Sequence, residues 1–121
     1  MTEETNKYDI QGNRVLIEDQ EIVFDFPIYK SVMISGMLIV LLNIPVEVKY
    51  TENVFGVSLV EKKIKWQIEK REFAQAPFTH IPCKYNGIAV YENKLRLNNW
   101  CSAYLIVKPT NGEVLEEGQT R

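Results

Sequence analysis

The sequence predicts an all-β domain built of antiparallel hairpins, and three observations support this prediction. Apolar and polar residues alternate with a period of two along much of the chain, as in strands that bury one face. Turn-forming residues recur at the spacing that short strands require. Only 69–77 suits a helix, and Pro77 would limit it to about two turns, so we predict a connecting loop there.

The alternation defines the strands. In 21–26 every second residue is apolar, which is the pattern of a half-buried strand. In 62–69 the residues predicted to face the core are Ile64, Trp66 and Ile68, and the residues between them are charged or polar. The full prediction places strands at 14–17, 21–26, 30–34, 37–42, 53–58, 62–69, 78–84, 87–91, 94–98, 102–107 and 113–117.

The uncharged segment 31–46 raises the question of a membrane span. A helix needs about 20 apolar residues to cross a bilayer. This segment is shorter, is interrupted by Gly36 and Pro45, and is rich in Val and Ile. We therefore predict two buried strands joined by a turn at Ser35-Gly36.

Other turns are predicted where Gly, Asn and Asp cluster. The strongest signals are Asn86-Gly87 and Asn111-Gly112, because both central residues of a type I′ turn need a positive φ. Further turns are expected at Gly12-Asn13, Asp19-Gln20, Glu61-Lys62 and Asn93.

Two stretches share the order apolar strand, tight turn, second strand. They are "NVFGVSLVEKKIKWQ", which begins at Asn53, and "AYLIVKPTNGEVLEE", which begins at Ala103. Their spacing of about 50 residues is typical of propeller-type repeats. The pattern resembles the blades of PQQ-like (quinoprotein-type) β-propellers, in which a strand runs into a Thr-Gly or Asn-Gly turn and then into a strand that ends in Trp. Here "YLIVKPTNGEVL" corresponds to the turn and Trp66 to the Trp.

This resemblance implies two blade-like antiparallel sheets in a single domain 1–121, either as a β-sandwich or as an incomplete propeller. The first repeat covers about 30–69 and the second about 78–117, behind a polar N-terminal segment 1–12. A closed ring needs roughly 4 to 8 blades. The quinone and metal sites of larger propellers therefore do not carry over, and we expect no cofactor.

Composition narrows the function. The net charge of −2 provides no field for binding nucleic acid. The acidic, polar N-terminus lacks the features of a secretory signal, and we expect a cytoplasmic protein that does not interact with membranes. Cys83 and Cys101 are then expected to be reduced core residues, with a disulfide only in an oxidising compartment.

No catalytic constellation emerges. His80, Cys83 and Cys101 are too few for a structural zinc site, which takes four ligands. The chain also lacks a nucleophile elbow, a phosphate loop and a zinc-protease motif. We therefore predict no metal site and no enzymatic activity.

The aromatic residues of the second repeat are the candidate interaction site. Tyr85, Tyr91, Trp100 and Tyr104 are of the types enriched at protein interfaces, and Trp100 follows a loop-like Asn-Asn pair, so we expect it to be exposed. Two blades leave open sheet edges, which favour pairing with another chain.

The predicted function is a non-catalytic protein-interaction module that self-associates, with neutralising or chaperoning a partner protein as one form of this role. The alternative is a small-molecule-binding β-sandwich or barrel, with or without weak hydrolase activity at His80.

Overall fold

The computed structural model describes residues 8–71 and 83–119, and within these ranges the chain is all β, as predicted. No helix occurs there, so none in this part is long and apolar enough to cross a membrane. The strands in the described ranges are β1 (Asp9–Gln11), β2 (Arg14–Ile17), β3 (Gln20–Val23), β4 (Ile28–Ile34), β5 (Met37–Leu42), β6 (Val54–Ser58), β7 (Lys63–Gln67), β8 (Tyr85–Tyr91), β9 (Lys94–Asn99), β10 (Ala103–Val107) and β11 (Val114–Gln119).

The strands form three antiparallel meanders. Sheet A has the order β1-β2-β3, sheet B the order β4-β5-β6-β7, and sheet C the order β8-β9-β10-β11. Sheets B and C correspond to the two predicted blade-like sheets. Sheet A was not predicted as a third layer, because β1 has only one apolar residue, Ile10, and so gives no readable alternation within the polar segment 1–12.

Sheet B is the middle layer of the molecule. One hydrophobic cluster fills the space between sheets A and B, and a second fills the space between sheets B and C. Strand β5 contributes to both clusters, because its odd-numbered residues face sheet C and its even-numbered residues face sheet A. A strand buried on both faces reads as a continuous apolar run, which explains "MLIVLL".

The predicted division of 31–46 into two strands is confirmed. A turn at Ser35 and Gly36, both with positive φ, joins β4 to β5. The burial of the two strands differs, since β5 is fully buried whereas β4 is partly exposed at the edge of its sheet.

Trp66 packs in the core between sheets B and C, as predicted, and its Nε1 donates a hydrogen bond of 2.8 Å to the carbonyl oxygen of Pro109. The prediction that Ile64 shares this face is wrong, and its side chain is 40% exposed. The pairing passes from Gly56–Trp66 to Val57–Ile64, which leaves Lys65 as an extra residue. This bulge reverses the alternation between Trp66 and Ile64.

All four edge strands of sheets B and C contain such a bulge. The unpaired residues are Tyr29 in β4, Lys65 in β7, Asn86 in β8 and Leu115 in β11. The turn predicted at Asn86-Gly87 is therefore wrong, because this pair lies inside β8 and forms the bulge. Asn-Gly suits the irregular backbone of a bulge as well as that of a turn.

Three predictions fall wholly or partly outside the described residues. Of the predicted strand 78–84, only Cys83 and Lys84 are described, and neither lies in a strand. Most of the predicted loop 69–77 is not described, and 69–71 contains no regular structure. His80 also lies outside the described ranges.

Candidate functional site

A cleft of about 350 Å³ opens beside the neighbouring strands β4 and β8. We refer to it as the Trp100 cleft. Its lining residues are Tyr29, Leu42, Asn43, Ile44, Lys84, Tyr85, Asn86 and Trp100. The lining therefore combines aromatic rings, two side-chain amides, one ammonium group and aliphatic side chains.

Two of the four bulges supply residues to this cleft. The register of β4 on β5 skips Tyr29, and the register of β8 on β9 skips Asn86. A bulge leaves its extra residue outside the regular alternation and redirects that side chain. Both edge strands therefore depart from regular pairing at the place where the cleft opens.

Lys84 is a buried cation beside the cleft. The residue is only 3% exposed, and its Nζ donates hydrogen bonds to the carbonyl oxygens of Pro45 at 2.5 Å and Val48 at 2.9 Å, with Val46 at 3.5 Å. Within the described ranges, no carboxylate forms an ion pair with it. Burial lowers the pKa of Lys84, and the charge of Glu47 acts in the opposite direction.

Asn53 holds in place the two buried residues Leu42 and Tyr85, which form the floor of the cleft. Its buried side chain accepts a hydrogen bond from the Tyr85 amide at 3.0 Å and donates to the carbonyl oxygens of Tyr85 at 2.8 Å and Leu42 at 3.0 Å. One amide side chain thus joins the end of β5 to the start of β8 and so connects sheets B and C.

Tyr85, a predicted interaction residue, is buried in the core between sheets B and C. Burial raises the pKa of its phenol above the ordinary value. It therefore contributes to the floor of the cleft and does not provide an exposed contact surface.

Trp100 is 55% exposed, which confirms the predicted exposure. It lies in the turn between β9 and β10, where its backbone amide donates to the Lys84 carbonyl oxygen at 3.2 Å. The Asn99 side chain accepts hydrogen bonds from the amides of Cys101 and Ala103 and so shapes this turn. These hydrogen bonds fix the backbone of the turn that carries the indole.

A disulfide joins Cys83 to Cys101, with the Cα atoms 5.5 Å apart. The expectation of two reduced cysteines is therefore wrong for this structure. Antiparallel pairing of β8 with β9 places Tyr85 opposite Asn99, which brings the flanking cysteines together despite their separation of 18 residues. The bond ties the Trp100 turn to the segment that carries Lys84.

Tyr91 and Tyr104 do not contribute to the cleft. Tyr104 lies against Arg96, whose guanidinium carbon is 4.2 Å from the ring centroid, and its hydroxyl donates to Glu116 at 2.9 Å. This hydrogen bond raises the pKa of Tyr104. Tyr91 is 47% exposed near the end of β8, away from Trp100. The four predicted residues thus divide between the cleft and the strands of sheet C.

Sequence reasoning missed Tyr29, Asn43, Lys84 and Asn86. A signal for Asn86 existed, because an Asn-Gly pair inside an otherwise strand-like stretch indicates a bulge. No local signal identified Lys84, since its environment depends on carbonyl groups of 45–48, far away in sequence.

The described ranges contain no group of three or more His, Cys, Asp or Glu residues arranged to hold a metal ion. The side chains that converge on the cleft are suited to binding by hydrogen bonds, stacking and charge.

A family model described as "Domain of unknown function (DUF7957)" matches residues 5–119 of the chain. The search of curated proteins found no match to the chain.

Proposed function

Because the chain belongs to the DUF7957 family, a domain of unknown function, we propose its role from the geometry of the Trp100 cleft. The protein is a non-catalytic binding module that captures a partner protein in this cleft. The main support is the convergence of Tyr29, Asn86 and Trp100 on one opening, two of them presented by strand bulges.

The hydrogen-bonding capacity of the cleft supports the proposal. Tyr29, Asn43, Asn86 and Trp100 make no side-chain hydrogen bond to any residue in the described ranges. A folded chain normally pairs its polar groups internally or with water. Four polar side chains that line one opening and lack internal partners are available to an external molecule.

The exposed aromatic rings favour a protein as that molecule. Tyr29 is 64% exposed, and Trp100 is exposed on the same cleft. Trp and Tyr combine large apolar area with a polar tip and are enriched among residues that dominate interface energies.

The test is affinity capture from the native host with matched variants. Wild type, Trp100→Ala and the control Val60→Ala, which alters an exposed apolar residue outside the cleft, are immobilised in parallel. We expect wild type and Val60→Ala to retain a host protein that Trp100→Ala does not retain. When that host protein is purified, it should bind wild type and Val60→Ala more tightly than Trp100→Ala. If the cleft variant and the control retain the same proteins with equal affinity, the proposal fails.

A small-molecule ligand is the second candidate, because the volume of the cleft lies within the range of ligand pockets, roughly 300–1,000 Å³. Such pockets are mostly apolar and enclose the ligand, whereas this cleft is open and rich in polar groups. The partner-protein proposal therefore has the stronger support.

We also propose that the protein self-associates, but through a different surface from the sheet edges predicted from the sequence. Bulges at all four edges of sheets B and C oppose pairing of strands between chains. We therefore assign a second copy to sheet C, around the exposed Tyr91. Light scattering should give the mass of two chains at high micromolar concentration, and Tyr91→Ser should lower it; a strict monomer would refute self-association and leave the cleft proposal intact.

We propose a cytoplasmic location, which requires that Cys83 and Cys101 are mostly reduced in the cell. Disulfides persist in oxidising compartments and are rare in the cytosol. In a cytoplasmic protein, Cys83 and Cys101 would therefore be thiols in most molecules. Alkylation of the thiols in intact cells, followed by mass spectrometry, should detect two modified cysteines; a protected disulfide would indicate an oxidising compartment.

A further inference from the structure

We propose that the Trp100 cleft recognises a carboxylate, presented by an acidic side chain of the partner protein. This inference rests on the proposed function and specifies the chemistry of the group that the cleft binds.

The charge of the cleft supports a negatively charged group. Among the residues that the structure describes, Lys84 is the only charged one that lines it, and no Asp or Glu does. The ammonium group forms hydrogen bonds with uncharged carbonyl groups and no ion pair with a carboxylate in the described ranges, and the charge of Glu47 acts on it only from beyond ion-pair distance. Charges interact more strongly near a protein interior than in water, since the effective dielectric constant is lower.

The neutral donors at the cleft match the acceptor capacity of a carboxylate. The amides of Asn43 and Asn86, the indole N–H of Trp100 and the hydroxyl of Tyr29 can all donate. None of the four side chains has a partner in the described part of the chain. An ionised carboxylate accepts at about four lone-pair sites, so several of these donors can be used together.

The same lining argues against a phosphate. Phosphate recognition commonly uses the bidentate fork of Arg or a set of backbone amides at a helix N-terminus. Within the described ranges, no Arg lines the cleft and no helix occurs. A single cation flanked by neutral donors suits one negative charge.

The experiment is a titration of the full-length protein labelled with nitrogen-15. The side-chain N–H signals of Trp100, Asn43 and Asn86 report on the cleft. Trp66 provides an internal reference, because its indole N–H is buried and donates to the Pro109 carbonyl oxygen. The first two probes are tetrapeptides blocked at both ends, Gly-Glu-Tyr-Gly and its uncharged counterpart Gly-Gln-Tyr-Gly.

We expect the Glu peptide to shift the Trp100 signal, to leave the Trp66 signal unchanged, and to bind roughly tenfold more tightly than the Gln peptide, a difference equivalent to about 1.4 kcal/mol. Equal affinities, or no shift with either peptide, would overturn the inference. Neither result bears on the proposed function, which the capture experiment decides independently.

Two further probes distinguish the source of the carboxylate. One is the Gln peptide with a free C-terminus, and the other is benzoate. Stronger binding of either than of the Glu peptide would overturn the assignment to an acidic side chain, and would indicate a chain terminus or a free organic acid. Stronger binding of the Glu peptide supports the assignment.

A pair of isosteric variants tests the charge argument. Asn86→Asp places a negative charge in the cleft, and Asn93→Asp makes the same change in the turn after β8, about 20 Å away along the strand. Asn86→Asp should weaken binding of the Glu peptide roughly tenfold relative to Asn93→Asp, equivalent to about 1.4 kcal/mol. Equal affinities of the two variants would contradict a carboxylate in the cleft.

Discussion

At the scale of single residues, Asn53 shows how one buried amide substitutes for strand pairing between two sheets. It pairs with both the amide and the carbonyl of Tyr85, and it also pairs with the Leu42 carbonyl. Buried polar groups that lose their partners each cost about 1–3 kcal/mol. The side chain thereby ties the floor of the Trp100 cleft to the core.

We predict that Asn53→Ala lowers the free energy of unfolding by about 2–4 kcal/mol, because it removes three buried hydrogen bonds to backbone groups of Leu42 and Tyr85. Urea denaturation measures the change. Asn93→Ala, at an exposed turn position, is the control and should alter stability by less than about 0.5 kcal/mol. Similar effects of the two variants would contradict the role of Asn53.

A second residue-scale prediction compares two glycines with similar backbones. Gly36 has a φ of +74° and open space where a Cβ would lie, whereas a Cβ at Gly112, with a φ of +78°, would lie 2.7 Å from Cε3 of Trp66. Gly36→Ala should cost about 1–2 kcal/mol, from backbone strain alone. Gly112→Ala should cost a further ~1–3 kcal/mol from overpacking, measured by thermal or urea unfolding. Equal costs would show that Trp66 moves aside freely.

The phenol of Tyr85 makes stability depend on pH in the alkaline range. Burial raises its pKa in the folded state, so the unfolded chain releases this proton first as the pH rises. The stabilising contribution is therefore fully present below about pH 10 and is lost as the pH rises further. We predict that, as the pH rises above about 10, the free energy of unfolding falls more steeply in wild type than in Tyr85→Phe. Parallel pH profiles would contradict this assignment.

At the scale of the elements, the strand bulges have two effects. They interrupt the regular ladder at each edge of sheets B and C, which opposes edge-to-edge pairing. In β4 and β8 they also place Tyr29 and Asn86 at the cleft. The same departure from regular pairing thus protects an edge and supplies residues to the site.

The disulfide ties two of these elements together, and its removal should be measurable. We predict that reduction, or the double variant Cys83→Ala with Cys101→Ala, lowers the free energy of unfolding by about 3 kcal/mol. The bond links two cysteines 18 residues apart in sequence and so restricts the unfolded chain. Urea denaturation with and without reductant tests this. The chain has two cysteines, so a reductant has no other disulfide to break, and the double variant should be insensitive to it. Unchanged stability on reduction would contradict the prediction.

At the scale of the whole molecule, the double burial of β5 couples the three layers. Ile39 faces the core shared with sheet C, and Val40 faces the core shared with sheet A. Loss of packing on either face removes support from the middle layer. We therefore expect the layers to unfold together.

Ile39→Ala and Val40→Ala should both lower the free energy of unfolding, by about 2–5 kcal/mol for Ile39→Ala and somewhat less for Val40→Ala, while unfolding remains a single transition. Near-ultraviolet circular dichroism, which reports on packed aromatic rings, and far-ultraviolet circular dichroism should give coincident curves in both variants. Separate transitions for the two signals would show that the layers unfold independently.

Much of the fold could be predicted from short-range patterns. The continuous apolar run of β5 and the turn at Ser35-Gly36 each reflect local geometry, because strand periodicity and turn dihedral angles are properties of neighbouring residues. The alternation in 21–26 predicted its strand only in part, since β3 ends at Val23. Failures occurred where the local pattern has two structural solutions. Asn-Gly at 86–87 forms a bulge in place of a turn, and the bulge at Lys65 moves Ile64 off the core face.

The site depended on information that short-range patterns do not contain. Trp100 was identified from the Asn98-Asn99 pair before it, although this pair lies in strand β9 and not in a loop. Lys84 and Tyr29 were not identified, since their roles arise from residues distant in the chain. The sequence by itself determined an all-β chain of hairpins with Trp66 in the core and Trp100 exposed. Only the tertiary structure decided the three-layer order, the Cys83–Cys101 bond and the cleft. These features depend on which sheet faces pack and which strand ends meet, and long-range packing sets both.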